Sequence, residues 1–215
     1  MQTKRSKLIR APQRGVYDRE QVHAILDEGL VCHIGFAAPA GRPVVIPTAY
    51  GRDGNLLYIH GAASSRMMRT LATGVDLSFC VTLIDGLVLA RAAFHHSVNY
   101  RSVVLFGTAQ LVEDLAQKER ALALFTDHVV PGRSAEVRPS APNEIKATTV
   151  LALRIDEGSA KVRTGPPKDD EADYALDVWA GVLPCGVSYG APQADPLLRA
   201  GIALAPSVRD YRRPG

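Results

Sequence analysis

The feature that most constrains this chain is a succession of short β-rich runs separated by turn residues. Branched and aromatic residues dominate the runs, which favours strands over helices. Asp53-Gly54 and Asp85-Gly86 lie between such runs, and Asp-Gly favours a tight hairpin because the turn needs positive φ. The sequence predicts seven mostly antiparallel strands, at residues 30–38, 43–50, 56–60, 77–84, 87–94, 102–112 and 148–155.

Three helices are predicted among these strands. Asp18 precedes Gln21 at capping-box spacing, and the apolar residues 22, 25 and 26 then share one helical face before Gly29. This pattern predicts a helix over 18–28, and similar signals predict helices over 64–72 and 114–128. These three helices do not alternate regularly with the strands, as βαβ units require. The expected fold is therefore mainly β, in the form of a small antiparallel barrel.

Composition fits one globular domain with tails. The chain has 215 residues, of which 47% are hydrophobic and 22% charged, and this length can bury its own core. The three cysteines show no CxxC spacing, so neither a disulfide framework nor a zinc knuckle is indicated. Signal-peptide and membrane-length apolar runs are missing, so a cytoplasmic location without membrane partners is expected.

The net charge of +3 is unevenly distributed. Residues 1–14 carry +5 and residues 199–215 carry +3, which leaves −5 for residues 15–198. Short basic clusters are typical of solvated arms, so no specific nucleic-acid partner is predicted. The expected organisation is a flexible basic arm over 1–14, a barrel domain over 15–185 and a Pro/Gly/Ala-rich tail over 186–215.

Several catalytic and metal motifs are absent or lack their context. GxGxxG after a strand, GxxxxGK[ST] and HExxH do not occur. Residues 186–190 match the GxSxG nucleophile elbow, but Ala-Pro follows instead of a helix. His95 and His96, with the distant His60, have no carboxylate at a recognisable spacing, so no metal site is predicted.

One strand-to-helix junction has the chemistry of an anion site. The strand at 56–60 leads to Ser64, Ser65 and Arg66, where the predicted helix begins. The free N–H groups of a helix start suit an anion, and Arg66 in the first turn opposes the macrodipole unless an anion is bound. The alternative is a simple Ser64 cap with Arg66 in solvent.

Two further segments are compatible with a binding rim. Residues 43–50 form an apolar strand whose second proline, Pro47, favours an edge position with free backbone groups. Residues 95–102 are densely polar between two apolar runs, which gives a strand entry with many hydrogen-bond donors.

Taken in order, three segments resemble the FMN-binding split β-barrel proteins of the pyridoxamine 5′-phosphate oxidase-like superfamily, in the branch related to nitroimidazole-resistance flavoproteins. The segments are residues 41–50 (GRPVVIPTAY), 57–66 (LYIHGAASSR) and 99–107 (NYRSVVLFG). The resemblance covers about residues 15–185. It implies an antiparallel split β-barrel and a homodimer with FMN at the subunit interface.

The resemblance also implies which residues contact the cofactor. The isoalloxazine would lie along one strand, the phosphate at the helix start, and the ribityl chain between them. The implied contacts are the backbone of Val45, Ile46, Pro47 and Thr48 for the ring, Ser64, Ser65 and Arg66 for the phosphate, and Tyr58 and His60 for the ribityl chain. Arg101 and Ser102 would lie near the flavin from a neighbouring strand, and Trp179 would reach the flavin of the partner subunit. For Trp179, a core or interface position without flavin contact is the alternative.

Two departures from the oxidase pattern matter. Met67 follows Arg66 where the oxidase has a lysine, so Arg69 or another cation would have to substitute. The arginine-histidine cluster that recognises pyridoxamine phosphate is missing, although Arg163 and the tail arginines remain, so vitamin B6 oxidation is not expected.

The predicted function is an FMN-dependent oxidoreductase that passes hydride or electrons between a nicotinamide donor, NAD(P)H, and a small organic acceptor. No catalytic residue is assigned; His60 and Tyr100 are candidate proton donors to reduced flavin. The alternatives are a flavin-storage or sensing protein without turnover, and a deazaflavin (F420)-dependent reductase on the same barrel.

Overall fold

The computed structural model describes residues 1–213, apart from the side chain of Ala40. Within that range, eleven strands and five α-helices are present. The strands are β1 (Gly15–Val16), β2 (Val31–Ala37), β3 (Pro43–Ala49), β4 (Gly51–Asp53), β5 (Leu56–Ala62), β6 (Asp76–Leu89), β7 (Ser97–Thr108), β8 (Gln110–Leu111), β9 (Thr148–Arg154), β10 (Glu157–Arg163) and β11 (Gly181–Pro184). The helices are α1 (Arg19–Glu28), α2 (Arg66–Leu71), α3 (Leu115–Val129), α4 (Pro142–Ala147) and α5 (Pro206–Arg209).

The strands form two antiparallel sheets. The larger sheet has the order β1-β10-β7-β6-β2-β3, and β11 pairs with the second half of β6. The smaller sheet has the order β4-β5-β9-β8. Neither sheet closes on itself over the described residues, and the chain passes repeatedly from one to the other, as in a split barrel. The predicted mainly β, antiparallel split β-barrel is therefore confirmed.

The core lies between the inner faces of the sheets and α1. Along β2 every second residue is buried, and β6 and β7 repeat this alternation, as strands with one face on a core must. Tyr50 is fully buried and its hydroxyl donates to the Leu26 carbonyl at the end of α1. The inward side chains are Cys32, Ile34, Phe36, Leu77, Phe79, Val81, Val103 and Leu105, with Val22, Ile25 and Leu26 from α1.

The opposite side of the larger sheet, here called the outer face, is open. Its side chains alternate with those of the core and come mainly from β2, β3, β6 and β7. They include two exposed large apolar groups, Val31 at 48% and Val45 at 65%. The outer face is defined by Val31, His33, Val45, Pro47, Ser78, Cys80, Thr82, Ser102, Val104 and Phe106.

The predicted helix at 18–28 is confirmed. The Asp18 carboxylate accepts from the Gln21 N–H at 2.9 Å and caps α1. Gly29 ends the helix, and a Cβ there would lie 2.7 Å from the Tyr50 hydroxyl. Glycine is therefore needed for this close approach. Asp114 caps α3 in the same way, through the Gln117 N–H at 2.7 Å.

One of the two predicted hairpins is wrong. Asp53-Gly54 does connect β4 to β5, with Gly54 at φ 54°. Asp85-Gly86 instead lies inside the continuous strand β6, where the register to β7 shifts between Ile84 and Gly86. This shift is a β-bulge. At the bulge Gly86 packs against β11, where a Cβ would lie 2.9 Å from a Val182 methyl group.

Two strands lie where the sequence pattern fades after residue 155. Strand β10 fills the position between β1 and β7, although its residues include Gly158, Ser159 and Ala160. These small residues have little strand propensity but allow close packing: a Cβ on Gly158 would lie 2.5 Å from a Leu105 methyl group. Strand β11 extends the sheet beside β6.

Both basic tails contact the barrel. Arg5 pairs with Asp76 and Glu157, each at 2.5 Å, and its guanidinium lies 4.6 Å from the centre of the Phe106 ring. The Arg213 guanidinium donates to backbone carbonyls at the C-terminal end of α1, including that of Glu28 at 2.8 Å. Part of the tails' charge is thus already matched by the barrel. Over residues 1–213, no helix combines the length and apolarity needed to cross a membrane.

Candidate functional site

The strand-to-helix junction after β5 forms a cavity with two arginines. The Ser65 hydroxyl, rather than that of Ser64, caps α2 by accepting from the Met68 N–H at 3.4 Å, and Ser64 is exposed. Arg66 and Arg69, one turn apart, both line a cavity of about 480 Å³. The other lining residues are Thr70 from α2, Thr73 and Val75 between α2 and β6, Ala37 at the end of β2, and Ala38 and Pro39 after it.

Arg66 and Arg69 are available to a ligand. In the part of the chain that the structure describes, neither takes part in an ion pair or a side-chain hydrogen bond. Arg69 thus places a second cation beside Arg66, although position 67 is Met. Two guanidinium groups at one cavity match the charge and donor geometry of a phosphate.

Strand β3 has the edge position that Pro47 predicts. It is the last strand of the larger sheet, so its free edge has no partner among residues 1–213. Val45 and Pro47 belong to the outer face, whereas Ile46 packs against the core. The Thr48 hydroxyl donates to the Ala49 carbonyl at 3.3 Å. The free backbone edge can pair with the polar rim of a planar ligand.

Tyr58 and His60 lie on the same face of β5, under α3. Tyr58 is buried, and the Gln117 amide donates to its hydroxyl at 3.5 Å. The His60 ring stands edge-on to Phe125, with 4.2 Å between the ring centres. Burial lowers the pKa of His60, so the imidazole is neutral at pH 7. The described residues offer its ring nitrogens no hydrogen-bond partner within reach.

Arg101 has a structural environment. Its guanidinium forms two-pronged ion pairs with Glu28, at the end of α1, and with Asp85 in the bulge of β6. Hydrogen bonds to Asp85 and then Glu28 raise its pKa. Its charge is thus more than matched within the chain. The neighbouring Ser102 hydroxyl donates to the Lys161 carbonyl at 3.3 Å and belongs to the outer face.

A second cavity, which the sequence does not predict, lies beside Arg101. It has a volume of about 820 Å³ and is bounded by β6 on one side and by the chain after β11 on the other. Apolar side chains such as Leu83 and Val187 share the lining with Arg212 and Tyr189. No local motif marks it, because its two walls are about a hundred residues apart in sequence.

Trp179 lies outside the core, just before β11. It is 69% exposed, and its ring lies against Gly181, where a Cβ would approach it to 3.0 Å. Within one chain it therefore contacts neither of the two cavities.

His95 lies near two carboxylates that the sequence does not place beside it. Its imidazole is 3.5 Å from the Asp170 carboxylate, and the ligand atoms of His95, Asp170 and Asp173 all lie within 4.8 Å of one another. Asp170 is largely exposed, so this group is a solvated surface cluster.

Comparison with known proteins identifies the family. The family model described as pyridoxamine 5′-phosphate oxidase matches residues 18–162. The chain belongs to this family. The resemblance drawn from residues 41–107 is thereby confirmed, and so is the split-barrel fold that it implies. A search of curated proteins returns no match.

Two solved structures are similar to this family member over almost their whole length. The flavocytochrome Anf3 from Azotobacter vinelandii is 39% identical, with 98% of each chain covered and a TM-score of 0.92. The FAD- and heme-binding protein from Mycobacterium smegmatis is also 39% identical, with 93% of this chain and 98% of that chain covered and a TM-score of 0.89.

A more distant structure shares the fold alone. It is described as a 5-nitroimidazole antibiotic resistance protein from Bacteroides thetaiotaomicron, and it is 20% identical over 69% of this chain and 86% of its own, with a TM-score of 0.57.

Proposed function

We propose that this chain is a flavoprotein that binds FAD and heme and transfers electrons from a nicotinamide nucleotide to a small acceptor. The observation that carries the proposal is the 39% identity, over nearly the full length, to a protein described as FAD- and heme-binding. The unpaired arginines at the first cavity support it. The family resemblance alone implies FMN, and the similarity to an FAD-binding protein favours FAD.

The chain offers a fitting set of donors for the flavin phosphates. Arg66 and Arg69 present forked N–H donors in one cavity, and no carboxylate of the described chain competes for them. The free edge of β3, with Val45 to Thr48, offers backbone groups to the ring. The bound flavin would supply the redox chemistry. The chain's own part is to bind the phosphates, orient the ring and limit access of water.

A homodimer with the cofactor between the subunits completes the proposal. The outer face carries exposed apolar side chains beside the free edge of β3, and Trp179 is also exposed. Contiguous apolar surface of this kind is typical of subunit interfaces. In a dimer, Trp179 of the second copy could cover a ring that lies along β3, which a single chain leaves open.

His60 is the residue that best fits a heme iron. Iron binds a neutral imidazole nitrogen, and burial keeps His60 neutral. Of the other histidines, His128 contacts the Gly29 carbonyl at 2.8 Å and His96 the Ala92 carbonyl at 3.1 Å, whereas His23 has a buried Nε2 without a partner among the described residues and is the second candidate. Replacement His60→Ala should abolish the Soret band of added hemin while FAD still binds, and the exposed His33→Ala serves as control. Loss of the band in His33→Ala, with His60→Ala normal, would contradict the assignment.

The reaction is tested by anaerobic mixing of the flavin-loaded protein with NADH and NADPH. A reductase bleaches the flavin band near its absorbance maximum, and the oxidised band returns when an electron acceptor is added. A flavin-storage or sensing protein leaves the band unchanged over the same time. A deazaflavin-dependent reductase would instead bind F420 and leave FAD free in solution.

A further inference from the structure

Arg163 is the most deeply buried arginine of the described chain. It is 8% exposed and lies at the end of β10, opposite Tyr100 on β7. Its Nη1 donates to the Asn99 side-chain oxygen and to the Gly165 carbonyl, at 3.5 Å for the latter. Both acceptors are neutral. Residues 1–213 supply no carboxylate that pairs with Arg163, so its buried charge has no protein counter-ion, which is an unfavourable arrangement.

A second unpaired cation lies close to Arg163. Arg14 is half-buried and directly precedes β1, which pairs with β10. Burial and then the positive charge of Arg14 lower the pKa of Arg163, while Tyr100 acts in the opposite direction. Two positive charges near one another, one of them buried, repel unless an anion lies between them.

Three other half-buried arginines are neutralised by carboxylates of the chain itself. Arg52 pairs with Asp27 at 2.5 Å, and Arg91 pairs with Asp169 at 3.1 Å. Arg101, on the strand next to Arg163, pairs with two carboxylates. These three have acids of their own, whereas Arg163 is held only by uncharged acceptors of the described chain, as Arg213 is at the end of α1.

We propose that Arg14 and Arg163 form an oxyanion site that binds a phosphate group of the nicotinamide nucleotide. Two guanidinium groups can bind one phosphate through forked hydrogen bonds. A phosphate carries more negative charge than a single carboxylate, so it balances the two positive charges better. The phenol of Tyr100 lies beside them and can add a further donor. The identity of the nucleotide rests on the proposed function; the oxyanion site does not.

Distance separates this site from the cavity of Arg66 and Arg69. Val75, just before β6, lines that cavity. Nine residues further along, Ile84 of β6 pairs with Tyr100 of β7, which in turn pairs with Arg163, so Ile84 and Arg163 lie at the same level of the sheet. At about 3.3 Å per residue, the two sites are about 30 Å apart along the sheet. The two phosphates of FAD are joined through one oxygen, so both belong at one site. A phosphate at Arg163 therefore does not belong to the FAD molecule whose phosphates lie at Arg66 and Arg69.

The first test uses inorganic phosphate and needs no flavin. The full chain carries Arg66→Ala and Arg69→Ala so that the other cavity does not respond, and its melting temperature is measured in phosphate and in chloride at equal ionic strength. We expect phosphate to raise the melting temperature. Arg163→Gln and Arg14→Gln should each weaken phosphate binding about tenfold or more, and Arg10→Gln, which removes a charge from the same arm, should not.

A purely structural Arg163 gives a different result. The Arg163→Gln variant would then be destabilised equally in both salts, and Arg14→Gln would keep the full phosphate response, which overturns the oxyanion site. Should Arg163→Gln fail to fold, Arg14→Gln decides alone.

The second test uses the flavin-loaded protein with Arg66 and Arg69 intact. We expect Arg14→Gln to raise the KM for the nicotinamide nucleotide about tenfold with little change in kcat. A larger effect with NADPH than with NADH identifies the 2′-phosphate, and an equal effect identifies the diphosphate. Unchanged KM values with weaker FAD binding would assign the site to the cofactor of a second copy and overturn the nicotinamide assignment. If neither nucleotide reduces the flavin, the proposed reaction fails, while the phosphate titration still decides the site.

Discussion

Arg101 and Arg163 lie on neighbouring strands, yet only Arg101 has carboxylate partners among residues 1–213. Arg101 is enclosed by the carboxylates of Glu28 and Asp85, whereas Arg163 meets only neutral acceptors. Arg66 resembles Arg163 in lacking a counter-ion. An arginine with its own acid stabilises the fold, whereas one without an acid can pair with an anionic ligand unless backbone carbonyls occupy its donors, as they do at Arg213. This distinction separates structural arginines from binding arginines, which sequence alone does not.

The largest expected effect is that of Arg101→Met on stability. Removing the guanidinium leaves Glu28 and Asp85 close together without a counter-charge, so the free energy of unfolding should fall by about 1–3 kcal/mol, since the pair is partly exposed. Urea denaturation of the flavin-free protein measures it. Adding Asp85→Asn should restore part of the loss. Normal stability together with lost flavin binding would instead make Arg101 a cofactor contact, as the family resemblance implies.

Arg66→Ala tests an arginine that has no carboxylate partner in the described chain. Its guanidinium has no protein partner, so stability should change little, while FAD and FMN should bind about tenfold or more weakly. Riboflavin, which has no phosphate, should bind nearly as before. Fluorescence titration with the three ligands measures this, and Arg154→Ala, which breaks only an exposed pair with Asp156, is the control. Equal loss for riboflavin would show that Arg66 is structural.

The smallest expected effect concerns His128, which is kept neutral without a carboxylate partner. Burial, the largest cause, lowers its pKa below the ordinary 6.5. As pH falls below about 6.5, the unfolded chain binds the proton more readily than the folded one, so stability present at pH 7 is progressively lost. His128→Gln should flatten this part of the profile measured by denaturation, whereas the exposed His33→Gln should leave it unchanged. Identical slopes in all three proteins would mean that His128 does not contribute.

The sequence predicts the fold best where local chemistry decides the structure. Asp18 and Asp114 cap helices where expected, and the branched strands follow their propensity. Local propensity does not predict strand β10, because Gly158 is held in place by packing against Leu105. Asp85 lies in a bulge, where its carboxylate binds Arg101. Local turn preferences do not predict this contact.

The candidate site likewise has a part that local sequence predicts and a part that it does not. Arg66 and Arg69 share one cavity because a helix places them one turn apart, which sequence can show. The partner that neutralises Arg101 is 73 residues away on α1, and the neighbourhood of Arg14 and Arg163 joins the two ends of the barrel domain. Such long-range pairings decide which arginines are free, and only the folded chain supplies them.

Freshly purified protein shows whether this chain carries a flavin. An absorbance spectrum is recorded, the protein is denatured, and the mass of the released cofactor is measured. We expect a flavin spectrum with release of FAD, together with a Soret band from heme. Protein that releases no flavin, and that binds neither FAD nor FMN when they are added, would contradict this expectation.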